Sequence, residues 1–288
     1  MRIIKTTAIF ALAVLLLEGC LKSKSIAFTN QTASNANTVD FNNQIESAAL
    51  NISTTPTIYT FYVEANSSNK SYPAGTVTIA KTPSILTDYN NANGSSYEFM
   101  PDSAYQLLNN TATIDPVTHL AAFQLKVFTT KIDLTHAFAL GYKIVSTSNG
   151  AIVAGNKNTT MLIIGAKNQW DGLYLTRGYT LRAGDPVLTG HFTGHEFGLV
   201  TFGVNADDFD QLQVWGDGVS GVAIGIPRLT INANNTVTIS SPGGATNLPG
   251  YPSRYDPATK TFYIGFTWGG GPGVREAYDT MVYIGPRP

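Results

Sequence analysis

Along most of this chain apolar and polar positions alternate with a period of two, the mark of half-buried strands rather than amphipathic helices. β-branched and aromatic runs at residues 57–63 and 76–79 flank a turn at residues 72–75. Extended runs return at 120–129, 139–147 and 161–164, with Asp115-Pro116 and Ser148-Asn149-Gly150 as breaks between them. Residues 83–89 predict one short helix, with Pro83 near its start and Asn93-Gly94 beyond its end. Short strands with regular turn signals predict a β-sandwich for this half.

The pattern changes around residues 166–178. The apolar run before it reads as the last strand of one unit, and Asp171-Gly172 is a turn signal at the start of the next. Lys167-Asn168-Gln169 reads as the hinge. Beyond it, residues 229–232 and 236–240 read as strand, tight loop, strand, and Trp215-Gly216-Asp217-Gly218 as a hairpin-type turn. Residues 261–268 form a long alternating strand, and residues 277–284 would pair with it. No helical periodicity of useful length appears. The expectation is all-β: an Ig-like N-terminal sandwich over residues 40–166 and an antiparallel sandwich or partly closed barrel over residues 167–288.

Composition sharpens this picture in two ways. Charged residues are 13% of the 288, about half the usual share of ~25%, so the polar surface falls to Asn, Ser, Thr and Gly, as in extracytoplasmic β-proteins. A net charge of −1 gives no field to gather nucleic acid. No arginine occurs between Arg2 and Arg177, while the second half holds Arg182, Arg228, Arg254, Arg275 and Arg287. That shift agrees with a boundary at the hinge.

At the start of the chain, Arg2 and Lys5 precede an uncharged run over residues 8–17, too short for a membrane span. Gly19-Cys20 follows, and Cys20 is the chain's single cysteine, so no disulfide can form within the monomer. The segment resembles a lipoprotein signal: residues 1–19 are the signal peptide, Cys20 takes the lipid, and residues 20–39 form a flexible tether rich in Ser, Thr and Asn. The expected location is the outer membrane, lipid-anchored, on its cell-surface or periplasmic face.

Ile85-Leu86-Thr87-Asp88-Tyr89-Asn90, Tyr97-Glu98-Phe99-Met100-Pro101 and Ser103-Ala104-Tyr105-Gln106-Leu107 carry a resemblance. They are similar to the N-terminal domain of unknown function in Bacteroidetes surface lipoproteins. Residues 120–164, including Tyr142-Lys143-Ile144-Val145, fit the same pattern. This chain departs from it at Leu140-Gly141, where the family often has Leu-Pro, and at residues 115–119, where a glycine-containing turn is usual. The resemblance implies an Ig-like sandwich from a polysaccharide-utilisation system. That domain is found ahead of some endo-β-N-acetylglucosaminidases, and elsewhere beside a small β-domain in SusE-like glycan binders. The present chain has no room for a catalytic barrel of about 250 residues.

Candidate chemistry is sparse. His191 and His195 are four apart, but the glycines around them argue for strand, where that spacing spans ~13 Å; no zinc site is expected. Asp207-Asp208-Phe209-Asp210 lacks the alternating ligands and glycine of a calcium loop, and reads as a solvated or helix-capping acidic turn. The glycine-rich stretch at residues 269–273 lacks the features of a phosphate loop. No Gly-x-Ser-x-Gly elbow occurs, so no enzyme is expected.

Aromatics remain. A sugar ring has an apolar C–H face and a rim of hydroxyls, so its site wants an aromatic platform edged by hydrogen-bonding groups. Trp215 with Asp217 and Trp268 with Arg275 fit, with Tyr251, Arg254 and Tyr255 in a nearby loop; Trp170 reads as structural, closing the domain junction. The expected function is metal-independent glycan binding without a cofactor, by a membrane-anchored protein that can serve an outer-membrane importer. The alternative is a structural or adhesive, fimbrillin-like lipoprotein with a protein partner. The lack of arginine between Arg2 and Arg177 removes the cleavage point that fimbrillin-like precursors use.

Overall fold

A computed structural model describes residues 37–68, 70, 72, 74–148, 150–187, 189–210, 225–269 and 274–287. The signal segment, Cys20, Trp215, Asp217 and most of the glycine-rich stretch lie outside the described residues.

Two sheets form the first unit. One runs β10 (Ile152–Val153), β1 (Asn37–Phe41), β3 (Thr57–Ser67), β8 (Leu120–Val127), β6 (Tyr105–Leu107). The other runs β2 (Ile45–Asn51), β11 (Thr159–Lys167), β9 (Phe138–Thr147), β4 (Thr76–Lys81), β7 (Thr111–Thr113), with β5 (Glu98–Phe99) also on β9. Alternation builds the core: along β8, Ala121, Phe123, Leu125 and Val127 are fully buried while Ala122 and Gln124 are exposed. Phe61 sits at its centre, 5.3 Å from Tyr142 and 5.7 Å from Phe123. β1 begins inside the stretch read as tether, because Phe41 and Val39 bury against β3.

Helix α1 (Ser84–Asn93) ends at Gly94, in the left-handed conformation that glycine adopts without strain. It packs on β9 at Gly141, where a Cβ would come within 2.5 Å of the Thr82 carbonyl. The departure at Leu140-Gly141 therefore has a packing reason: only a residue without a side chain admits the helix this closely.

Among the described residues the second unit is one antiparallel sheet of nine strands. β12 (Gly172–Arg182), β13 (Gly190–Gly203), β14 (Ala206–Phe209), β15 (Arg228–Ile231), β16 (Val237–Ser240) and β17 (Thr246–Asn247) follow one another as neighbours. On its other edge β12 pairs with β20 (Arg275–Gly285), then come β19 (Thr261–Trp268) and β18 (Arg254–Asp256). β17 also pairs with β19, so the sheet closes into a barrel. Closure removes free edges, and inward side chains fill a barrel of this size. Phe197, Phe209, Phe262, Phe266 and Trp268 are among them.

The hinge is a clasp. The Asn168 side chain donates to the Gly203 and Ala206 carbonyls and to Asp207, and accepts from the Trp170 and Asp171 amides. Its backbone amide reaches the Thr201 hydroxyl. Arg287 pairs with Asp171 close by. No helix among the described residues is long and apolar enough to cross a membrane.

Candidate functional site

The acidic run at residues 207–210 is neither a calcium loop nor a solvated or helix-capping turn. Asp207 and Asp208 lie in β14, and strand alternation sends them to opposite faces. Asp207 points inward and is fully buried; burial pushes its pKa up to about 7, against the pull of its hydrogen bond from Asn168. Asp208 points outward and holds Arg228 in a two-pronged ion pair of 2.6 and 2.9 Å. The two histidines also part company. A bulge at Gly194 shifts the register, so His191 pairs with Tyr179 and His195 with Thr176, on opposite faces.

Of the residues expected to hold a sugar, Trp268 and Tyr255 belong to the core. Trp268 is 2% exposed and stacks at 5.4 Å on Phe266. Its parity along β19 is that of Phe262, Ile264 and Phe266, all buried, and the neighbouring glycines do not alter it. Arg275 is its cross-strand partner and is half-buried with it. Tyr255 packs 4.6 Å from Phe262 and edge-on to Trp170. Neither aromatic presents a free ring face. Trp170 itself is buried in the barrel core near the junction, and its carbonyl accepts from the Tyr174 hydroxyl.

Tyr251 and Arg254 are placed differently. They lie beside an open groove of about 480 Å³ on the outer wall of the barrel, lined by Arg177, Tyr179, His191, Thr193, Tyr251, Tyr278 and Thr280. Its floor is a row of residues in direct register across four strands: His191 on β13, Tyr179 on β12, Tyr278 on β20 and Gly265 on β19. Residues directly opposite in antiparallel strands share a face, so the three side chains stand together. Tyr179 lies 4.8 Å from His191 and 6.4 Å from Tyr278.

Gly265 has no side chain to add to the row. The Tyr251 ring occupies that place instead, edge-on to Tyr278 at 5.6 Å. Burial pushes the Tyr251 phenol up, opposed by the charge on Arg254. The Tyr278 hydroxyl donates to Glu276 at 2.8 Å, and that bond raises its pKa. Both tyrosines are neutral donors at physiological pH. Asp279 adjoins the groove, but it shares the inward parity of Ala277 and Met281, and its carboxyl is buried in the barrel.

A second row runs alongside: Thr193, Arg177, Thr280, Tyr263 and Arg254, again in register. The groove thus combines aromatic rings with hydroxyls, an imidazole and guanidinium groups. That is the chemistry for holding a flat, polyhydroxylated molecule by stacking and rim hydrogen bonds. Among the described residues no group of three or more His, Cys, Asp or Glu could hold a metal ion. Tyr179, Tyr278 and His191 escape a reading of the sequence because β12 and β20 are far apart along the chain and no local signal fixes their register.

A family model described as "-like, N-terminal domain" matches residues 22–151, the span of most of the first unit. None of the curated proteins matches the chain. The solved structures similar over both units include three from Bacteroides. A Bacteroides ovatus protein of unknown function has a TM-score of 0.62 at 12% identity, covering 87% of this chain and 95% of that one. A second Bacteroides ovatus protein of unknown function has a TM-score of 0.52 at 14% identity, covering 85% and 94%. An auxiliary nutrient binding protein from Bacteroides thetaiotaomicron has a TM-score of 0.53 at 14% identity, covering 90% and 94%. At these identities the likeness is one of fold.

Proposed function

We propose that this chain, whose first unit belongs to the domain family matched over residues 22–151, is a non-catalytic glycan-binding protein of the bacterial envelope. Three supports converge on that reading. One similar fold is that of an auxiliary nutrient binding protein. The start of the chain has the form of a lipoprotein signal, with Cys20 as the lipidated residue. The barrel wall carries a groove suited to sugars.

The observation that carries the proposal is the in-register row of His191, Tyr179 and Tyr278, completed by Tyr251 over Gly265. A sugar ring laid on Tyr179 and Tyr278 covers its C–H face, while Thr193, Thr280 and Arg177 meet its hydroxyls. Tyrosine suits this work because it offers a large face with few rotatable bonds. The wall is a paired sheet, so the platform is in place before the ligand arrives and little ordering cost opposes binding. The N-terminal sandwich would act as the spacer between a lipid on Cys20 and the groove, presenting glycan to an outer-membrane importer or a neighbouring hydrolase.

The test is affinity electrophoresis of the purified chain in gels carrying a panel of polysaccharides. One polymer class retards the protein, without turnover of the glycan and equally in the presence of chelator. Migration unchanged across the panel would remove the glycan reading and favour a protein partner.

A further inference from the structure

Arg275 is half-buried beside Trp268, and the barrel's other five arginines divide into two groups. Arg182, Arg228 and Arg287 are each engaged by an aspartate, at 3.3, 2.6 and 3.1 Å. Arg177 and Arg254 are exposed, and neither lies within ion-pair distance of a carboxylate among the described residues. Both belong to the second row, with Thr280 and Tyr263 between them; Arg177 lines the groove and Arg254 ends the row beside it.

Their setting is organised. The Arg254 guanidinium lies 4.3 Å from the centre of the Tyr263 ring, a cation–π contact that limits its rotamers. Asp256, two residues along the same strand, already accepts from the Ala258 amide and the Thr259 hydroxyl. Glu276 accepts from the Tyr278 hydroxyl. Asp256 thus has its hydrogen bonds made locally and acts on Arg254 only through its charge, while neither guanidinium is held by a carboxylate in a direct ion pair among the described residues.

Three strand spacings separate Arg177 from Arg254 at their backbones, about 14 Å at ~4.8 Å each. The Arg254 head lies over Tyr263 on β19, roughly two strand spacings or about 10 Å from the Arg177 backbone on β12. That is about the length of a disaccharide. A planar guanidinium presents paired donors that match two oxygens of one anionic group.

We propose that the ligand of this groove is an acidic glycan, with carboxylate or sulfate groups on alternate sugars taken by Arg177 and Arg254 while uncharged faces stack on Tyr179 and Tyr278. The inference rests on the glycan-binding reading above and narrows it to one chemical class. Uronic acids and sulfate esters share the recognised chemistry, a compact oxyanion on a sugar ring. Neutral glucans and mannans lack it.

The experiment compares purified protein, Arg177→Ala/Arg254→Ala and Tyr278→Ala on four immobilised polymers: polygalacturonate, desulfated chondroitin, chondroitin sulfate and a neutral glucan. Retention on an acidic polymer is expected. It should weaken at least roughly tenfold in the double arginine variant, and fall steeply between 0.05 and about 0.5 M salt as exposed charges are screened. Retention on all three acidic polymers names the shared oxyanion. Retention on chondroitin sulfate alone names sulfate, and on the two unsulfated acids alone names the uronate. Binding to the neutral glucan alone, lost in Tyr278→Ala and unchanged in the arginine variant, would overturn the acidic ligand and keep the groove. Acidic binding unchanged by every substitution would overturn both. Matching thermal midpoints of the three proteins keep folding out of the comparison.

Discussion

The Tyr251 ring lies directly on Gly265: a Cβ built at Gly265 would stand 2.6 Å from the Cγ and Cδ1 atoms of the tyrosine. The contact is possible because β19 carries no side chain at that one outward position. The Gly265 carbonyl accepts from the Leu248 amide and the Ser253 hydroxyl, and the same hydroxyl accepts from the Gly265 amide, so the loop bearing Tyr251 is tied at the spot its ring covers.

Gly265→Ala should therefore act on the groove before it acts on the fold. The added methyl lifts Tyr251 from its place beside Tyr278, and glycan retention should drop by roughly tenfold, about 1.4 kcal/mol. Strand φ at this position suits alanine, so a melting curve should remain cooperative. Retention equal to the parent protein's would show that Tyr251 takes no part in binding.

Trp268→Ala tests the corrected assignment of that tryptophan. A fully buried indole removed from a packed core costs about 3–5 kcal/mol, so thermal unfolding should move down sharply. Trp268→Phe keeps most of the volume and should fold and bind as the parent does. Loss of binding in a well-folded Trp268→Phe protein would restore the indole as a ligand platform.

Asn168→Ala should separate the hinge reading from the clasp reading. The two N–H groups of the side chain serve three acceptors and its oxygen accepts twice, and the residue is 4% exposed. Removing it leaves buried groups unpaired, Asp207 among them, at a cost of about 2–4 kcal/mol. Chemical denaturation should show it; a change under ~0.5 kcal/mol would mean the junction is a simple linker.

Asp207 sets a pH dependence with a definite sign. Its pKa rises from 3.8 in the unfolded chain to about 7 in the fold, so the folded state binds the proton more tightly. Its favourable contribution is full below pH 3.8 and is lost as pH climbs through 7. Asp207→Asn keeps an acceptor for Asn168 and removes the titration. The stability of that variant relative to the parent should increase from pH 5 to pH 8, by a few kcal/mol at most. The difference matters because Asp102, Asp115 and Asp256, with lowered pKa values, act in the opposite direction at acid pH. A pH-independent difference would show that Asp207 stays ionised throughout.

Much of the architecture is legible in the chain because it is local. Strands at residues 120–127 and 138–147 follow from alternation, and helix α1 from Pro83 and Gly94. Trp268 was equally legible: counting by twos from Phe262 places it inside, and the glycines after it say nothing of its parity. The groove was not. His191, Tyr179 and Tyr278 meet through pairings across strands far apart in sequence, and the bulge at Gly194 decides which histidine joins them. Hydrophobic pattern sets which face a residue takes. It does not set which strand lies beside it, and a binding row is made of neighbours.

The most direct measurement is equilibrium binding of the Tyr179→Ala/Tyr278→Ala variant to the polysaccharide that retards the parent protein, at matched thermal stability. The two substitutions strip the row of its central rings and leave the barrel core untouched. Stacking on this row predicts binding weakened at least about a hundredfold, near 2.7 kcal/mol. An affinity within twofold of the parent's would contradict it, and the aromatic wall of the barrel would then not be the binding site.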